Sequence, residues 1–212
     1  MSGTAPDRGR RFPGFDVLDQ VPHWDRVTAD VVLARTVTPA PVKFFTESEE
    51  SCARALLNLL TGQDGSEGEL AVPVLEMVDA RLAAGETDGW RYDDMPEDGQ
   101  AWRNTLTLLD ADAHQLSGAA FADTPPADQA RLVQAVQDLG SGNWHGLPAA
   151  HVWSLWTRYA CTAFYAHPSA WAEIGFPGPA YPRGYKNIGV GKREPFEAGD
   201  AHPAEDPVRE GV

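Results

Sequence analysis

The sequence predicts an all-α protein: a single bundle of about five helices, with an extended N-terminal arm and a Pro/Gly-rich C-terminal arm. Apolar residues recur at helical spacing in successive stretches, and no stretch shows a clear strand pattern. A late helix, predicted from Pro148 to Ala166, is apolar or aromatic on nearly every side. Because such a helix must be covered all round, we expect it at the centre of the fold or between the fold and a partner.

The first two bundle helices are predicted from their ends and their apolar stripes. Thr46 and Glu49 match a capping box, in which each side chain satisfies the other residue's free backbone N–H, and Gly62 ends that helix. The second helix is predicted from roughly Glu69 to Ala84. The apolar stripes consist of Ala53, Leu56, Leu57 and Leu60 in the first helix and Val74, Leu75, Val78 and Leu82 in the second.

The next two helices are predicted in the same way. The third runs from about Asp98 to Ser117, and the fourth starts at Thr124-Pro-Pro, because proline is tolerated in the first turn of a helix. Their core-facing residues are Trp102, Leu106, Leu109 and Ala113 in the third and Leu132, Val136 and Leu139 in the fourth.

Four segments follow from this pattern. Residues 1–43 form an N-terminal arm that buries its aromatic residues, with the polar residues 1–12 expected to be disordered, and residues 44–173 form the helical bundle. Residues 174–196 are predicted to be a docking arm and residues 197–212 a disordered tail. The prolines and glycines between His167 and Tyr185 predict that this stretch is neither a helix nor an inner strand.

Composition limits the functional class. The net charge of −14 argues against nucleic acid and against anionic membrane surfaces, which both require basic patches. No stretch is long and apolar enough for a transmembrane helix, and the Arg10-Arg11 pair lacks the apolar run that follows it in an export signal. We therefore expect a cytoplasmic protein. Cys52 and Cys161 are interpreted as buried, reduced thiols.

No self-contained active site can be identified from the residues. Four histidines are candidates for a metal or acid–base cluster: His114, His145, His151 and His167. Their spacing matches no ligand motif, and we interpret them as structural. The acidic run from Asp93 to Asp98 lacks the alternating oxygen ligands of a calcium loop and is interpreted as solvated. No phosphate-binding glycine motif, dinucleotide fingerprint or nucleophile elbow is present.

Aromatic residues in the last helix and in the arm are instead typical of a core or an interface. Four basic residues of the arm lie close together in an otherwise acidic chain: Arg183, Lys186, Lys192 and Arg193. We interpret residues 174–196 as an arm that orders on a partner, and packing of the arm on its own bundle is the alternative. The residues predicted to contact a partner are Trp153, Trp156, Phe176, Pro177, Pro179, Tyr181, Arg183, Tyr185 and Lys186.

Three stretches carry a family resemblance. They are Phe44-Phe-Thr-x-x-Glu49, Ala163-Phe-Tyr-x-His-Pro168 and Glu173-Ile-Gly-Phe-Pro-Gly-Pro-Ala-Tyr-Pro-Arg-Gly-Tyr185. Over roughly residues 44–190 the chain resembles the gluconate 2-dehydrogenase subunit 3 family, the small subunits of flavoprotein sugar dehydrogenases. The resemblance implies a helical, non-catalytic partner of a large FAD-dependent subunit of the glucose-methanol-choline oxidoreductase type. Many members resemble proteins exported with a twin-arginine signal, and this sequence departs from them at Arg10-Arg11.

The expected function is therefore that of an accessory subunit of a flavin-dependent sugar or polyol oxidoreductase, which supports folding and stability of the catalytic subunit. It has no cofactor of its own in this interpretation, and FAD is bound by the partner. The alternative is a stand-alone metal- or flavin-dependent oxidoreductase with a site around His151 and the aromatic helix.

Overall fold

The computed structural model describes residues 11–63 and 72–204. These residues are mostly helical, with one very small sheet, which confirms the all-α class. In chain order the α-helices are α1 (Arg26–Leu33), α2 (Glu47–Leu60), α3 (Val74–Ala83), α4 (Asp98–Ser117), α5 (Pro126–Asp138), α6 (Ala149–Ala166) and α7 (Pro168–Ile174). Within the described ranges, no helix is long and apolar enough to cross a membrane.

The chain divides into two compact units. Met1–Val37 and Tyr165–Val212 make up the first, called the terminal unit below, and Thr38–Phe164 make up the second, called the bundle unit. The bundle unit contains α2 to α5 and all but the last two residues of α6. The boundaries predicted between arms, bundle and tail remain predictions, and residues 1–10 and 205–212 of the predicted disorder lie outside the described residues.

The helices of the bundle unit begin and end close to the predicted positions. The capping box forms, with the Thr46 N–H donating to Glu49 Oε2 at 2.8 Å. Helix α3 begins at Val74, after the non-helical Val72 and Pro73, because a proline disfavours helical geometry in the residue before it. The predicted start at Glu69 lies outside the described residues.

Large side chains fill the interior of the bundle unit. The fully buried ones include Leu56, Leu57, Leu106, Leu109, Trp102, Trp156 and Tyr159. The Trp156 indole N–H donates to Thr105 Oγ1 at 3.0 Å, so this buried polar group is satisfied. Cys52 is buried as predicted, and burial raises the pKa of its thiol to about 12. The prediction that Cys161 is buried was wrong, because this cysteine lies on an exposed side of α6.

A buried carboxylate joins α3 to the segment before α2. Asp79 is 2% exposed and accepts hydrogen bonds from the backbone N–H groups of Lys43 (2.7 Å), Phe44 (2.8 Å) and Phe45 (3.0 Å). Since these N–H groups precede α2, no helix can satisfy them, and the carboxylate takes that role.

A short hairpin precedes α6 and was missed by the sequence prediction. Strands β1 (Asn143–Trp144) and β2 (Leu147–Pro148) pair antiparallel, with Trp144 opposite Leu147. The two turn residues, His145 and Gly146, both have positive φ, as a primed two-residue turn requires. Asp112 of α4 contacts two side chains of the hairpin. Its carboxylate accepts a hydrogen bond from the Trp144 indole N–H at 2.9 Å and lies 2.8 Å from His145 Nε2.

The described part of the terminal unit contains three short helices, none of which was predicted from the sequence. A 3₁₀ helix covers Val17–His23, and α1 and α7 accompany it. Helix α7 corrects the prediction that no helix follows His167: Pro168 occupies its first turn, and the other prolines come after its end. The core of this unit is formed by Val17, Trp24, Val32 and Trp171.

Candidate partner-binding surface

Helix α7 sets the start of the predicted docking arm. Its N-cap is His167, whose Nδ1 accepts the Ser169 N–H at 3.2 Å, and its last carbonyls are followed by Gly175 with φ +69°. A side chain at Gly175 would place its Cβ 2.5 Å from the Phe12 ring. Positive φ and lack of space both require glycine here, so the direction in which the arm leaves α7 is fixed.

His167 makes the stability of this unit depend on pH. Burial lowers the pKa of the His167 imidazole and outweighs a hydrogen bond with the Arg35 backbone, which raises it; the charge of Arg35 also lowers this pKa. The unfolded chain therefore binds a proton more readily, so stability is fully present above the ordinary histidine pKa of about 6.5 and is lost as the pH falls through the folded value. Protonation also removes the lone pair that caps α7.

We expect the melting temperature of the terminal unit, followed by tryptophan fluorescence, to fall between about pH 7.5 and pH 5. His167→Asn keeps a capping acceptor but cannot titrate, so the variant should show a flatter curve in this interval. The same decline in the variant and the unchanged chain would show that His167 is not responsible.

The arm runs over Trp171 and Trp24 after it leaves α7. The Phe176 N–H donates to the Trp171 carbonyl at 2.9 Å, and the Phe176 ring lies edge-on to Trp171 with centroids 5.4 Å apart. Pro177 and Gly178 are buried, and a Cβ at Gly178 would come within 2.5 Å of Trp24. Bare backbone at Gly178 therefore allows the arm to lie directly on the indole.

Arg183, in the middle of the arm, packs against other residues of the terminal unit. Its Nη1 donates to Gln20 Oε1 at 2.8 Å, and its guanidinium carbon lies 3.8 Å from the centroid of the Phe196 ring. Its Nε and Nη2 are buried and have no hydrogen-bond partner among the described residues. This arginine contributes to the packing of the terminal unit in the isolated chain.

The predicted partner-binding residues differ widely in exposure. Phe176, Tyr181, Tyr185 and Lys186 are exposed, with Tyr181 at 65%, while Pro179 and Arg183 are half-buried and Pro177 is buried. In the bundle unit, Trp153 is half-buried. Trp156 is fully buried and bonded to Thr105, so the structure corrects its assignment: it is a core residue of the bundle.

Exposed apolar residues beyond this set were missed by sequence reasoning. Ile188 is 81% exposed and Val190 is fully exposed, in a loop that follows Tyr185 directly. The sequence signal that was available is the Ile-Gly-Val-Gly pattern at 188–191, where apolar side chains alternate with glycines between basic residues. Helix α1 also exposes two apolar residues, Val27 and Val31, whereas its Val32 is buried in the core of the terminal unit.

The acidic run at 93–98 is not a solvated loop, which corrects the interpretation made from the sequence. Asp98 is 7% exposed and accepts the Tyr159 hydroxyl at 2.8 Å, while Arg158 Nη2 lies 3.4 Å away. Burial, the hydrogen bond to Asp98 and its charge raise the pKa of Tyr159. Asp94 is exposed but lies 2.8 Å from His151 Nδ1. Only the other two acids of the run, Asp93 and Glu97, are exposed without such a contact to α6.

A neighbouring carboxylate, Asp88, joins two arginines. Arg81 from α3 and Arg158 from α6 both donate to it. Burial favours the protonated acid, but the hydrogen bonds and charges of the two guanidinium groups outweigh burial and hold the pKa of Asp88 below its usual value. The loop between α3 and α4 is thus attached to α3 and α6 at Asp88, and the first residue of α4, Asp98, is attached to α6.

His151 is engaged in packing contacts. Its ring stacks on Tyr92, with centroids 3.6 Å apart and planes 3° from parallel, and its Nδ1 faces Asp94. Among the residues that the structure describes, no three His, Cys, Asp or Glu side chains are grouped as a metal site. A cavity of about 700 Å³ opens in the bundle unit beside Phe44, Trp90 and the start of α4, and His151 is not part of its lining.

A mostly helical protein whose terminal unit exposes several aromatic side chains is typical of a subunit that works in a complex. The comparison with protein families agrees. The chain belongs to the gluconate 2-dehydrogenase subunit 3 family, whose model matches residues 47–178. The family is a subunit of a dehydrogenase complex, which implies a larger oxidoreductase partner. No curated protein and no solved structure matches the chain.

Proposed function

We propose that this chain is the non-catalytic small subunit of a flavin-dependent sugar or polyol oxidoreductase, and that its terminal unit docks on a large catalytic subunit and supports the folding and stability of that subunit. The observation that carries the proposal is the exposure of Phe176, Tyr181 and Tyr185 on a segment whose path is fixed by packing at Gly175 and Gly178. Membership of a dehydrogenase subunit family supports it.

Exposed aromatics on an ordered segment suit a docking role for a physical reason. Tyrosine and phenylalanine bury large areas with few rotatable bonds, and binding energy concentrates in such residues. The arm already lies on Trp24 and Trp171, so docking would order little additional backbone. A surface of this kind gives more affinity per buried residue than a disordered tail does.

FAD is assigned to the partner in this proposal. The sequence contains no dinucleotide fingerprint, and the resemblance places flavin chemistry on a large subunit of the glucose-methanol-choline type. The contacts of His151 with Tyr92 and Asp94 favour a structural role over the stand-alone catalytic site that was the alternative. The cytoplasmic location stays a prediction from the sequence.

Co-purification from the source organism tests the proposal. The tagged chain should bring down a protein that carries FAD absorbance and reduces an artificial dye when sugars or polyols are added. Tyr181→Ala with Lys186→Ala removes two exposed arm residues, and we expect the affinity to fall by roughly 10- to 100-fold, as loss of one strong anchor would give.

Tyr165→Ala is the matched control, because this tyrosine is also about half exposed but lies outside the predicted set. It should leave recovery of the flavoprotein unchanged. Recovery of no flavoprotein with the unchanged chain would refute the proposal, and stoichiometric FAD binding by the isolated chain would refute the assignment of FAD to the partner.

A further inference from the structure

We propose that residues 186–194, called the tip loop, are a second and apolar contact with the catalytic subunit, inserted into an apolar recess bordered by carboxylates. The inference rests on the proposed function, since it names a further part of the same docking surface. The family match ends at residue 178, so this loop lies outside the matched range.

The tip loop is closed at its base by a buried carboxylate. Glu194 is 5% exposed and accepts the backbone N–H groups of Lys186 and Asn187, the latter at 2.5 Å. The Asn187 side-chain amide donates to the other Glu194 oxygen and to the Arg193 carbonyl, both at 3.3 Å. Hydrogen bonds to a buried charged acceptor are among the stronger ones, so the two ends of the loop are held together.

The base is also packed on the arm. The Tyr185 and Phe196 rings lie 6.2 Å apart, and Phe196 covers the Arg183 guanidinium. The loop therefore continues directly from the residues that are proposed to contact the partner.

The tip itself displays two aliphatic side chains. Lys192 N–H donates to the Gly189 carbonyl at 3.2 Å, which makes Gly189 to Lys192 a turn, and Gly191 supplies the positive φ of +71° at its third position. Val190 stands at the second position of this turn, and Ile188 precedes it; both are largely or fully exposed. Nothing in the packing of the described residues uses these two side chains, although displaying them to water is unfavourable.

The flanks of the tip specify the chemistry of the recess. Lys186, Lys192 and Arg193 are exposed, and no ion pair joins them to a carboxylate within the described ranges. In a chain of net charge −14 this local excess of positive charge is unusual, and it complements a partner surface rimmed by Asp and Glu. Ile188 and Val190 would then fill an apolar pocket inside that rim.

A protein recess fits these observations better than a lipid surface does. Two aliphatic side chains provide little insertion into a bilayer, and the strong negative charge of the whole chain opposes approach to anionic lipids. A closed loop with a defined turn, by contrast, loses little entropy when it enters a pocket of matching shape.

The test measures binding to the flavoprotein subunit recovered from the co-purified complex, by biolayer interferometry with the full-length chain. Ile188→Ser with Val190→Ser should raise the Kd by about 30-fold or more, since two buried aliphatic contacts are lost. Val27→Ser with Val37→Ser is the matched control: both valines are similarly exposed, at 70% and 64%, but lie outside the loop, and the Kd should change by less than about threefold.

Lys192→Glu with Arg193→Glu tests the carboxylate rim. We expect slower association and a weaker dependence of the association rate on salt than in the unchanged chain. An unchanged rate would overturn the acidic rim.

Three outcomes distinguish failure of the proposed function from failure of the inference about the tip loop. If no flavoprotein is recovered with the unchanged chain, the proposed function fails. If the flavoprotein is recovered, binding is weakened by Tyr181→Ala alone, which lies outside the tip loop, and the tip variant binds normally, the proposed function stands and the tip loop is not a contact. If the unchanged chain floats with vesicles of phosphatidylcholine and phosphatidylglycerol and the tip variant does not, the loop binds lipid and the inference is overturned.

Discussion

Asp79→Ala is expected to lower the free energy of unfolding of the bundle unit by about 4 kcal/mol, the largest effect that we predict for a single substitution. The variant leaves the N–H groups of Lys43, Phe44 and Phe45 without their acceptor, in a segment where Phe45 is buried. The buried Phe45 N–H would pay its full desolvation penalty, and the part-buried N–H groups of Lys43 and Phe44 would lose their partner at the same time. Urea unfolding followed by tryptophan fluorescence measures the change.

Two further variants define the cause of that loss. Asp79→Asn keeps one oxygen acceptor, so its stability should lie between those of the alanine variant and the unchanged chain. Asp138→Ala removes an exposed aspartate at the end of α5, in the same unit, whose carboxylate accepts only a hydrogen bond from the Gln134 side chain among the described residues, and it should cost less than about 0.5 kcal/mol. If Asp79→Ala and Asp138→Ala had equal effects, the carboxylate at position 79 would not anchor this segment.

Asp98→Ser is expected to destabilise the bundle unit by about 3 kcal/mol. Removing the carboxylate leaves the charge of its partner Arg158 partly uncompensated in a mostly buried position. The Tyr159 hydroxyl would lose its acceptor, and Arg158 would keep only Asp88. Helix α4 also has no side-chain cap from Glu97, so the carboxylate in its first turn contributes favourably to the helix dipole.

The control for Asp98 comes from the same acidic run. Asp93→Ser with Glu97→Ser changes two exposed acids and should alter the free energy of unfolding by less than about 0.5 kcal/mol. Equal melting temperatures for Asp98→Ser and this double variant would show that the whole run is solvated, as the sequence had suggested.

The five bundle helices were predictable because their signals are local. Each signal lies at or within the helix that it predicts: the capping box at Thr46 starts α2, a proline starts α5, and each apolar stripe repeats inside a single helix. The burial of Asp98 was not predictable in this way: Tyr159 is 61 residues away, and only the tertiary fold brings the hydroxyl to the carboxylate. In isolation, four acids within six positions are typical of a solvated loop.

The candidate surface was predicted only in part for the same reason. The density of aromatic residues between Phe176 and Tyr185 was visible in the sequence, and several of them are exposed. Composition could not separate Trp156, which turned inward to Thr105, from Trp153 on the same helix. Prolines also obscured α7, because their number suggested an irregular segment while their positions permit seven helical residues.

The terminal unit is built from two segments that are far apart in the sequence, and this has a consequence for biosynthesis. Val17, Trp24 and Val32 are synthesised before Thr38–Phe164, but their packing partner Trp171 is synthesised only after it. The bundle unit is contiguous and can fold first, whereas closing so long a loop places the terminal unit last. A chain that stops before Trp171 therefore lacks both part of the core of this unit and the aromatic arm that rests on it, so the proposed docking would require that synthesis has passed both segments of the unit.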